Sequence, residues 1–397
     1  MKISMLFKEE VRNLDENFTA GCERMFINDI LLLNSKKYLK NVYTTSKNNL
    51  HSISKNRLHS IPYPHELIPF LYKIIERFNI NKHISSLVLK FTTCVLQLYY
   101  ASIFLINEHK SDQFYVYQVP AVGIFFPDKT VVTYHNFCPN LDYVFNILFL
   151  LRKDASNIRL LFVSDSLYKH FLHEYPILKK CKCNVLHNAA DIKRFRPQQN
   201  KTKKISFVFL SAWIREKGIY MLPNIIRYVN RRYLNKVNFV IGGSSRLWSM
   251  PDWQYNSYNL VQNKIFRLGE EFVNVKIIGE TNYEKIPSIL SNSTFCLLPS
   301  LWAEPFSLLA VESLACGTPV IAFNVGGNKE IIVDKENGYL AKDKNVDSLK
   351  KLIIKIISDF NLKNYNDLSS SARLSSEKYS AEDRNNNLIN ILLDCNG

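Results

Sequence analysis

Two glutamates eight residues apart, Glu304 and Glu312, are the residues of this chain best suited to chemistry. Ser307 reads as a helix N-cap and Gly317 as a left-handed C-cap, so the segment between them is one short helix. Leu308, Leu309, Val311 and Leu314 spread round most of its circumference, which predicts a helix buried nearly all round. A carboxylate inside such a helix needs hydrogen-bond partners, because leaving it unpaired costs on the order of several kcal/mol. Glu312 therefore points to a ligand. Glu304 stands just before the helix start, where the positive end of the helix favours an anion. Arg215-Glu216-Lys217-Gly218 forms a second constellation after the strand 205–210, at the expected start of a helix. Two cations with free amides suit a departing diphosphate. By itself such a tetrapeptide is a solvated turn, and it gains meaning only beside the two glutamates.

Other chemistries are poorly supported. Cys181-Lys182-Cys183 with His187, and His170 and His173 upstream, matches no common zinc spacing, so no metal site is expected. There is no P-loop, no Gly-x-Gly-x-x-Gly and no Asp-x-Asp. If the chain handles a diphosphate, the counter-charge must come from Arg215 and Lys217. The net charge of +16 favours anionic partners such as phosphates or anionic lipid surfaces. No nucleic-acid-binding motif accompanies that charge, so nucleic acid is not an expected partner.

The elements that position these residues follow from periodicity. An apolar content of 47% and a charged content of 22% exclude a disordered chain. Residues 2–7 read as a strand, 21–40 as an amphipathic helix and 42–45 as a second strand, with a long polar connection over 8–19. From Lys36 to Arg57 there are six basic residues and no acid, which suits lipid phosphates. Residues 65–79 and 84–106 show helical spacing, and the run 91–106 is too short to span a bilayer. The pair is expected to pack on a sheet or to lean its outer apolar face on a membrane. Strands at 113–118, 129–134, 158–163 and 183–186 then alternate with helices from about 120, at 141–152 and at 166–175. A polar linker covers 188–203. The alternation resumes with strands at 205–210, 239–241, 275–278, 295–298 and 320–323, and ends in helices near 345–360 and 379–394. Such alternation means two parallel, doubly wound α/β sheets, with ligands beyond the carboxyl ends of the strands. Expected domains are 1–190, 191–378 and a C-terminal helix, 379–397, packing back on the first domain. Most glycines lie at strand ends of the second domain, so the better phosphate-type site is expected there. The segment Met1–Phe7 lacks an apolar run long enough for a signal peptide, and a cytoplasmic location is expected.

Several of these residues carry a resemblance. Val185-Leu186-His187-Asn188-Ala189-Ala190-Asp191 with Phe195-Arg196-Pro197, then Arg215-Glu216-Lys217-Gly218, come first. Pro299-Ser300, Glu304-Pro305-Phe306, Glu312 through Ala322 and Gly326-Gly327-Asn328-Lys329-Glu330 follow in order. The set resembles glycosyltransferase family 4, retaining and nucleotide-sugar-dependent enzymes of the GT-B fold, in which two Rossmann-like domains face each other across a cleft. The resemblance implies that Glu312 binds the donor ribose and that Glu304 contacts the donor sugar. It implies that amides of Phe306, Ser307 and Leu308 meet sugar and phosphate, and that Arg215 and Lys217 bind the diphosphate. Thr281, in the loop 278–281, would sit near the base. His135 would face the sugar from the first domain, and Gly21 would stand for the family's glycine loop after the first strand. Two departures are visible. Ser211 and Ala212 replace the family's usual Gly-Arg, and only Thr19-Ala20-Gly21 remains of the glycine loop. The implied activity is sugar transfer from a nucleoside-diphosphate sugar, a co-substrate rather than a cofactor, to a glycan or lipid-linked glycan. This would serve cell-surface polysaccharide synthesis at the inner face of the cytoplasmic membrane, with peripheral contact to anionic lipid and no bound metal. The alternative is a catalytically silent nucleotide-sugar-binding or scaffold protein of a glycan assembly complex.

Overall fold

Both halves of the chain are α/β, with one all-parallel sheet apiece. The computed structural model describes residues 1–7, 21–44, 57–61, 74, 77, 81–138, 140–198, 204–244 and 252–394. These form two units, Met1–His187 with Asn385–Gly397, and Asn188–Arg384.

The first unit runs β1 (Ile3–Phe7), α1 (Gly21–Ser35), β2 (Leu39–Thr44), β3 (Leu58–Ser60), α2 (Lys82–Glu108), β4 (Gln113–Tyr117), α3 (Val122–Phe125), β5 (Thr130–Tyr134), α4 (Asp142–Leu151), β6 (Arg159–Phe162), α5 (Asp165–Glu174) and β7 (Lys182–Val185). Its strand order is β3-β2-β1-β4-β5-β6-β7, every neighbour parallel. Helices cover both faces, so β1, β4 and β5 are buried at every residue and are mostly apolar, with Ser4, Gln113, Thr130 and Thr133 as buried polar exceptions. On one face Phe7, Phe26 and Tyr117 form an aromatic cluster with ring centroids 4.4–5.4 Å apart.

The second unit runs β8 (Ile205–Leu210), α6 (Leu222–Tyr233), β9 (Val237–Gly242), α7 (Asp252–Glu271), β10 (Val275–Gly279), α8 (Ile286–Ser291), β11 (Phe295–Leu298), α9 (Leu308–Ala315), β12 (Val320–Phe323), α10 (Asn328–Ile331), β13 (Gly338–Ala341), α11 (Val346–Ser358) and α12 (Leu362–Ser375). Its order, β10-β9-β8-β11-β12-β13, is also parallel throughout and reverses between β8 and β11. Reversal of strand order opens a crevice at the carboxyl ends of the two flanking strands, the usual ligand position of such sheets. The last helix, α13 (Ala381–Leu393), places Leu388 and Leu392 in the core of the first unit, with Ile3, Met5 and Leu161. Arg159 donates to the carbonyls of Ile391 at 2.7 Å and Asp394 at 2.5 Å, satisfying the end of that helix.

Several elements differ from the sequence expectation. The helix predicted over 21–40 stops at Ser35, because Lys37 adopts φ 61° and the Tyr38 amide returns to the Leu33 carbonyl. A lysine in the left-handed position carries no sequence signal, and the strand β2 starts at Leu39, earlier than expected. The helix expected from about 120 is a single turn. Arg215-Glu216-Lys217 is not a helix start: it is a separate 3-10 turn closed by Gly218, and α6 begins at Leu222. The polar stretch after His187 is pinned to the second unit where it is described. Phe195 is fully buried, Asp191 caps the amides of Lys193 and Arg194, and Arg373 donates to the carbonyls of Ile192 and Phe195. The connection 8–19 and most of the basic stretch 36–57 and of the helix expected over 65–79 lie outside the described residues.

Candidate functional site

The two strands flanking the switch point of the second unit each hand their loop to the other. After β8 the chain passes Trp213, buried and hydrogen-bonded to the Gly242 carbonyl at 3.1 Å, and enters the Arg215–Lys217 turn. Gly218 closes that turn at φ 75°, where a Cβ would lie 2.0 Å from the Pro299 carbonyl oxygen. Only glycine allows the loop after β8 to touch the loop after β11 there. The contact is locked by the Leu301 amide, which donates to the Glu216 carbonyl at 2.8 Å.

This approach delivers Lys217 to Glu304. The ammonium lies 2.5 Å from Glu304 Oε1, and the two side chains are only 16% and 13% exposed. The other carboxylate oxygen, Oε2, accepts from Ser300 Oγ at 3.1 Å and from the Trp302 indole at 3.2 Å. Lys217 Nζ also sits 5.7 Å from the centroid of the Trp302 ring, within cation–π range. Gly327 donates its amide to the Glu304 carbonyl at 2.7 Å, and Gly326, at φ 54°, would place a Cβ 2.4 Å from that same oxygen. Three loops, after β8, β11 and β12, thus converge on one glutamate.

The helix that follows forms as the sequence predicts. Ser307 is extended, and its Oγ accepts from the Ala310 amide, while Gly317 leaves the helix at φ 65°. Leu308, Val311 and Leu314 are buried and only Leu309 is partly open. Glu312 is 2% exposed and accepts from the Tyr283 hydroxyl at 3.1 Å. The Tyr283 ring is bracketed by the Arg194 guanidinium at 4.7 Å and by Phe195 at 5.6 Å. A buried carboxylate is thereby held in a fixed direction rather than neutralised by a cation of its own helix.

The remaining expected residues fall as follows. Arg215 is exposed on the turn that carries Lys217. Phe306 is buried edge-on to Tyr379, at 5.5 Å. Thr281 is buried, with its hydroxyl 3.3 Å from the Gly279 carbonyl, and that carbonyl accepts the Gly243 amide at 2.7 Å. His135 belongs to the first unit, just after β5, where its ring stacks on Tyr117 at 5.0 Å and 6°. Gly21 is the first residue of α1, and the preceding Thr19-Ala20 lie outside the described residues. The Cys181 and Cys183 thiols lie 3.9 and 3.6 Å from the carbonyls of Ala155 and Leu178. Partial burial pushes both thiols up, Cys181 to about 12 and Cys183 to about 11, which favours the protonated form.

Ser300, Trp302, Tyr283 and Arg194 were given no role by the sequence reading. One signal was available for the first two: Ser300, Trp302 and Glu304 recur at a spacing of two, which puts side chains on one side of an extended segment. Tyr283 and Arg194 have no such signal, because they meet Glu312 from separate parts of the chain.

The Anabaena protein HepE, solved in complex with UDP, superposes on this chain with a TM-score of 0.69 at 17% identity, covering 99% of this chain and 100% of its own. The fold is that of the GT-B glycosyltransferases. Within this GT-B chain, residues 191–375 match the family model described as Glycosyl transferases group 1. That span contains the Arg215–Lys217 turn, Glu304 and Glu312, and lies in the second unit. An uncharacterized glycosyltransferase of Methanocaldococcus jannaschii is 29% identical over 156 residues, 39% of either chain. The UDP-Gal:alpha-D-GlcNAc-diphosphoundecaprenol alpha-1,3-galactosyltransferase of Escherichia coli is 28% identical over 190 residues, 45% of this chain and 46% of its own. The chain thus spans under half the length of these curated relatives.

Proposed function

We propose that this chain is a retaining glycosyltransferase of family 4. It would transfer a sugar from a nucleoside-diphosphate sugar to a glycan or lipid-linked glycan during cell-surface polysaccharide synthesis, at the inner face of the cytoplasmic membrane. The observation that carries the reading is the Lys217–Glu304 pair, 2.5 Å apart at the switch point of the second sheet. A cation and a carboxylate so placed are what a diphosphate and the hydroxyls of its sugar require. UDP in the HepE complex and the UDP-Gal donor and diphosphoundecaprenol-linked acceptor in the name of the Escherichia coli relative support the same substrate classes.

In this reading the bond between the sugar C1 and the diphosphate oxygen breaks as the acceptor oxygen bonds to C1 on the same face. The acceptor proton passes to the departing phosphate oxygen. Lys217, with Arg215 on the same turn, stabilises the negative charge that develops on the diphosphate, and such electrostatic support is the largest catalytic contribution expected here. Glu304, held by Ser300 and Trp302, accepts hydrogen bonds from the donor sugar. Glu312, aimed by Tyr283, accepts from the ribose. The start of α9 presents the amides of Phe306, Ser307 and Leu308 to sugar and phosphate. The counter-charge is supplied by these side chains and amides, and the reading assigns no metal and no cofactor.

The test is a thermal-shift screen of nucleotide sugars followed by nucleoside-diphosphate release with a panel of acceptors. A bound donor raises stability by about 2.7 kcal/mol at 100 times its dissociation constant. Donor binding without release under any acceptor would favour the silent scaffold, and absence of binding would defeat both readings. An inverted anomeric configuration in the product would refute retention.

A further inference from the structure

The longest described helix carries an exposed apolar stripe. On α2, Ile84, Leu87, Phe91, Val95, Tyr99 and Ile106 are exposed, Phe91 at 66% and Ile106 at 73%. Their spacings place them on one face, a strip about 33 Å long at 1.5 Å per residue. The stripe is interrupted at Ser102, which is exposed and whose hydroxyl donates to the Leu98 carbonyl at 2.7 Å. Leu150 and Leu151, at the end of the neighbouring α4, are 82% and 64% exposed. Lys90 of α2 and Asp142 of α4, 3.1 Å apart, join the two helices.

α2 is long and apolar enough to cross a bilayer, yet its opposite face is committed to the sheet. Phe104 packs edge-on against Phe114 of β4, and Gln97 donates to the Gln118 carbonyl at 2.9 Å. Its last residue, Glu108, is 1% exposed and bound by Ser4, Asn41, Tyr43 and Ser111. A helix anchored in this way cannot span; it can lie in an interface.

The charge around the stripe selects the interface. Glu108 is the only acid on α2, and it is buried. The helix is followed by exposed Lys110; Lys153 is exposed just beyond Leu151, and Lys180 reaches over the Phe149 ring of α4. Two acids of this region, Asp142 and Asp154, are ion-paired with Lys90 and Arg152. A two-fold copy would bring this patch against itself. Such a pair would set two positively charged rims together, with no exposed acid among the described residues of either helix to offset them. Anionic headgroups would attract the same lysines.

We infer that the outer face of α2, with the end of α4, lies in the headgroup region of an anionic bilayer. The inference extends the proposed function only in giving a reason for a lipid-linked acceptor; the binding surface itself stands on the exposed stripe and its charges. The test uses the full chain and vesicles of phosphatidylcholine, alone or mixed with phosphatidylglycerol. Co-sedimentation is expected with the mixed vesicles and should weaken as salt rises. The double variant Phe91→Glu, Val95→Glu should bind them about tenfold or more weakly, with an unchanged melting temperature because both sites are exposed. Absence of binding to the mixed vesicles, or equal binding by the double variant, would overturn the inference. So would a dimer in sedimentation velocity that the same substitutions abolish without any vesicle binding, which would assign the stripe to a second copy. Nucleotide affinity, measured on both proteins without vesicles, reports on the donor reading separately.

Discussion

Lys217→Ala removes the cation from the centre of the candidate site, and the structure allows two separate effects to be sized. The first is on stability. The substitution deletes a 2.5 Å charge-assisted hydrogen bond to Glu304 and the cation–π contact to Trp302. Ser300 and Trp302 still satisfy Glu304 Oε2, so the carboxylate is not orphaned. The loss should therefore be that of one hydrogen bond to a charged group, about 1.5–3 kcal/mol, rather than that of a stranded buried ion. For a domain of this size that corresponds to a fall of about 3–12 °C in melting temperature. The second effect is on turnover: if Lys217 stabilises the departing diphosphate, removing it should slow donor cleavage by about 100- to 1000-fold. Nucleoside-diphosphate release gives kcat and KM, and calorimetry with UDP gives ground-state affinity. The reasoning expects kcat to fall far more than affinity, because charge on the leaving group grows in the transition state. Turnover within a few-fold of the parent protein would refute it. So would a loss of affinity as large as the loss of turnover, which would reduce Lys217 to a binding residue. Glu304→Gln and the double variant complete the cycle, and non-additive losses are expected because the two groups touch.

Tyr283→Phe should destabilise the second unit by about 1–3 kcal/mol in urea unfolding, since a buried carboxylate loses a hydroxyl donor. Glu312→Gln should weaken nucleotide binding more than it slows the chemistry; unchanged affinity in calorimetry would count against the ribose role. Gly218→Ala and Gly279→Ala form a matched pair. Both glycines have positive φ, but an added Cβ meets the Pro299 carbonyl at 2.0 Å in the first case and nothing within 4 Å in the second. The second should cost only the left-handed conformation, about 1–2 kcal/mol, whereas the first should also separate the loops and abolish turnover. Burial would raise the Glu108 carboxyl, yet hydrogen bonds from Ser4, Asn41, Ser111 and Tyr43 outweigh it and hold the group near about 2, against an ordinary 4.5. A depressed carboxyl stabilises the fold fully above its unfolded value. That stabilisation, about 3 kcal/mol, should be lost as pH falls from near 4.5 towards 2. Urea titrations across that range should show the loss, and Glu108→Gln should remove this part of the pH dependence.

Much of the donor-side arrangement was legible because it is written locally. The helix between Ser307 and Gly317 announces itself through a capping hydroxyl, an apolar circumference and a glycine at the left-handed exit. Each of these acts within a few residues of chain. The carboxylate at Glu312 was conspicuous for the same reason, as a charge where the pattern demands none. The alternation of strands and helices was equally clear, since parallel strands buried on both faces are mostly apolar. Where local signals were absent the reading erred. Lys37 occupies a left-handed position that favours glycine, so the end of α1 was placed too late. The Arg215–Lys217 turn was read as a helix start because its closing glycine and the true start at Leu222 belong to different turns.

By itself the sequence determined the α/β class, the buried helix before Cys316 and the need for partners at two glutamates. These depend on period, capping and the cost of burying charge, which are properties of a residue and its near neighbours. Only the tertiary structure decided who those partners are. Lys217 reaches Glu304 because the strand order reverses between β8 and β11, and Gly218 lets the two loops touch. Tyr283 reaches Glu312 across a separation of 29 residues that no periodicity encodes. Contacts of that kind follow from the order of strands in a sheet, which is settled by the packing of the whole unit rather than by any one segment.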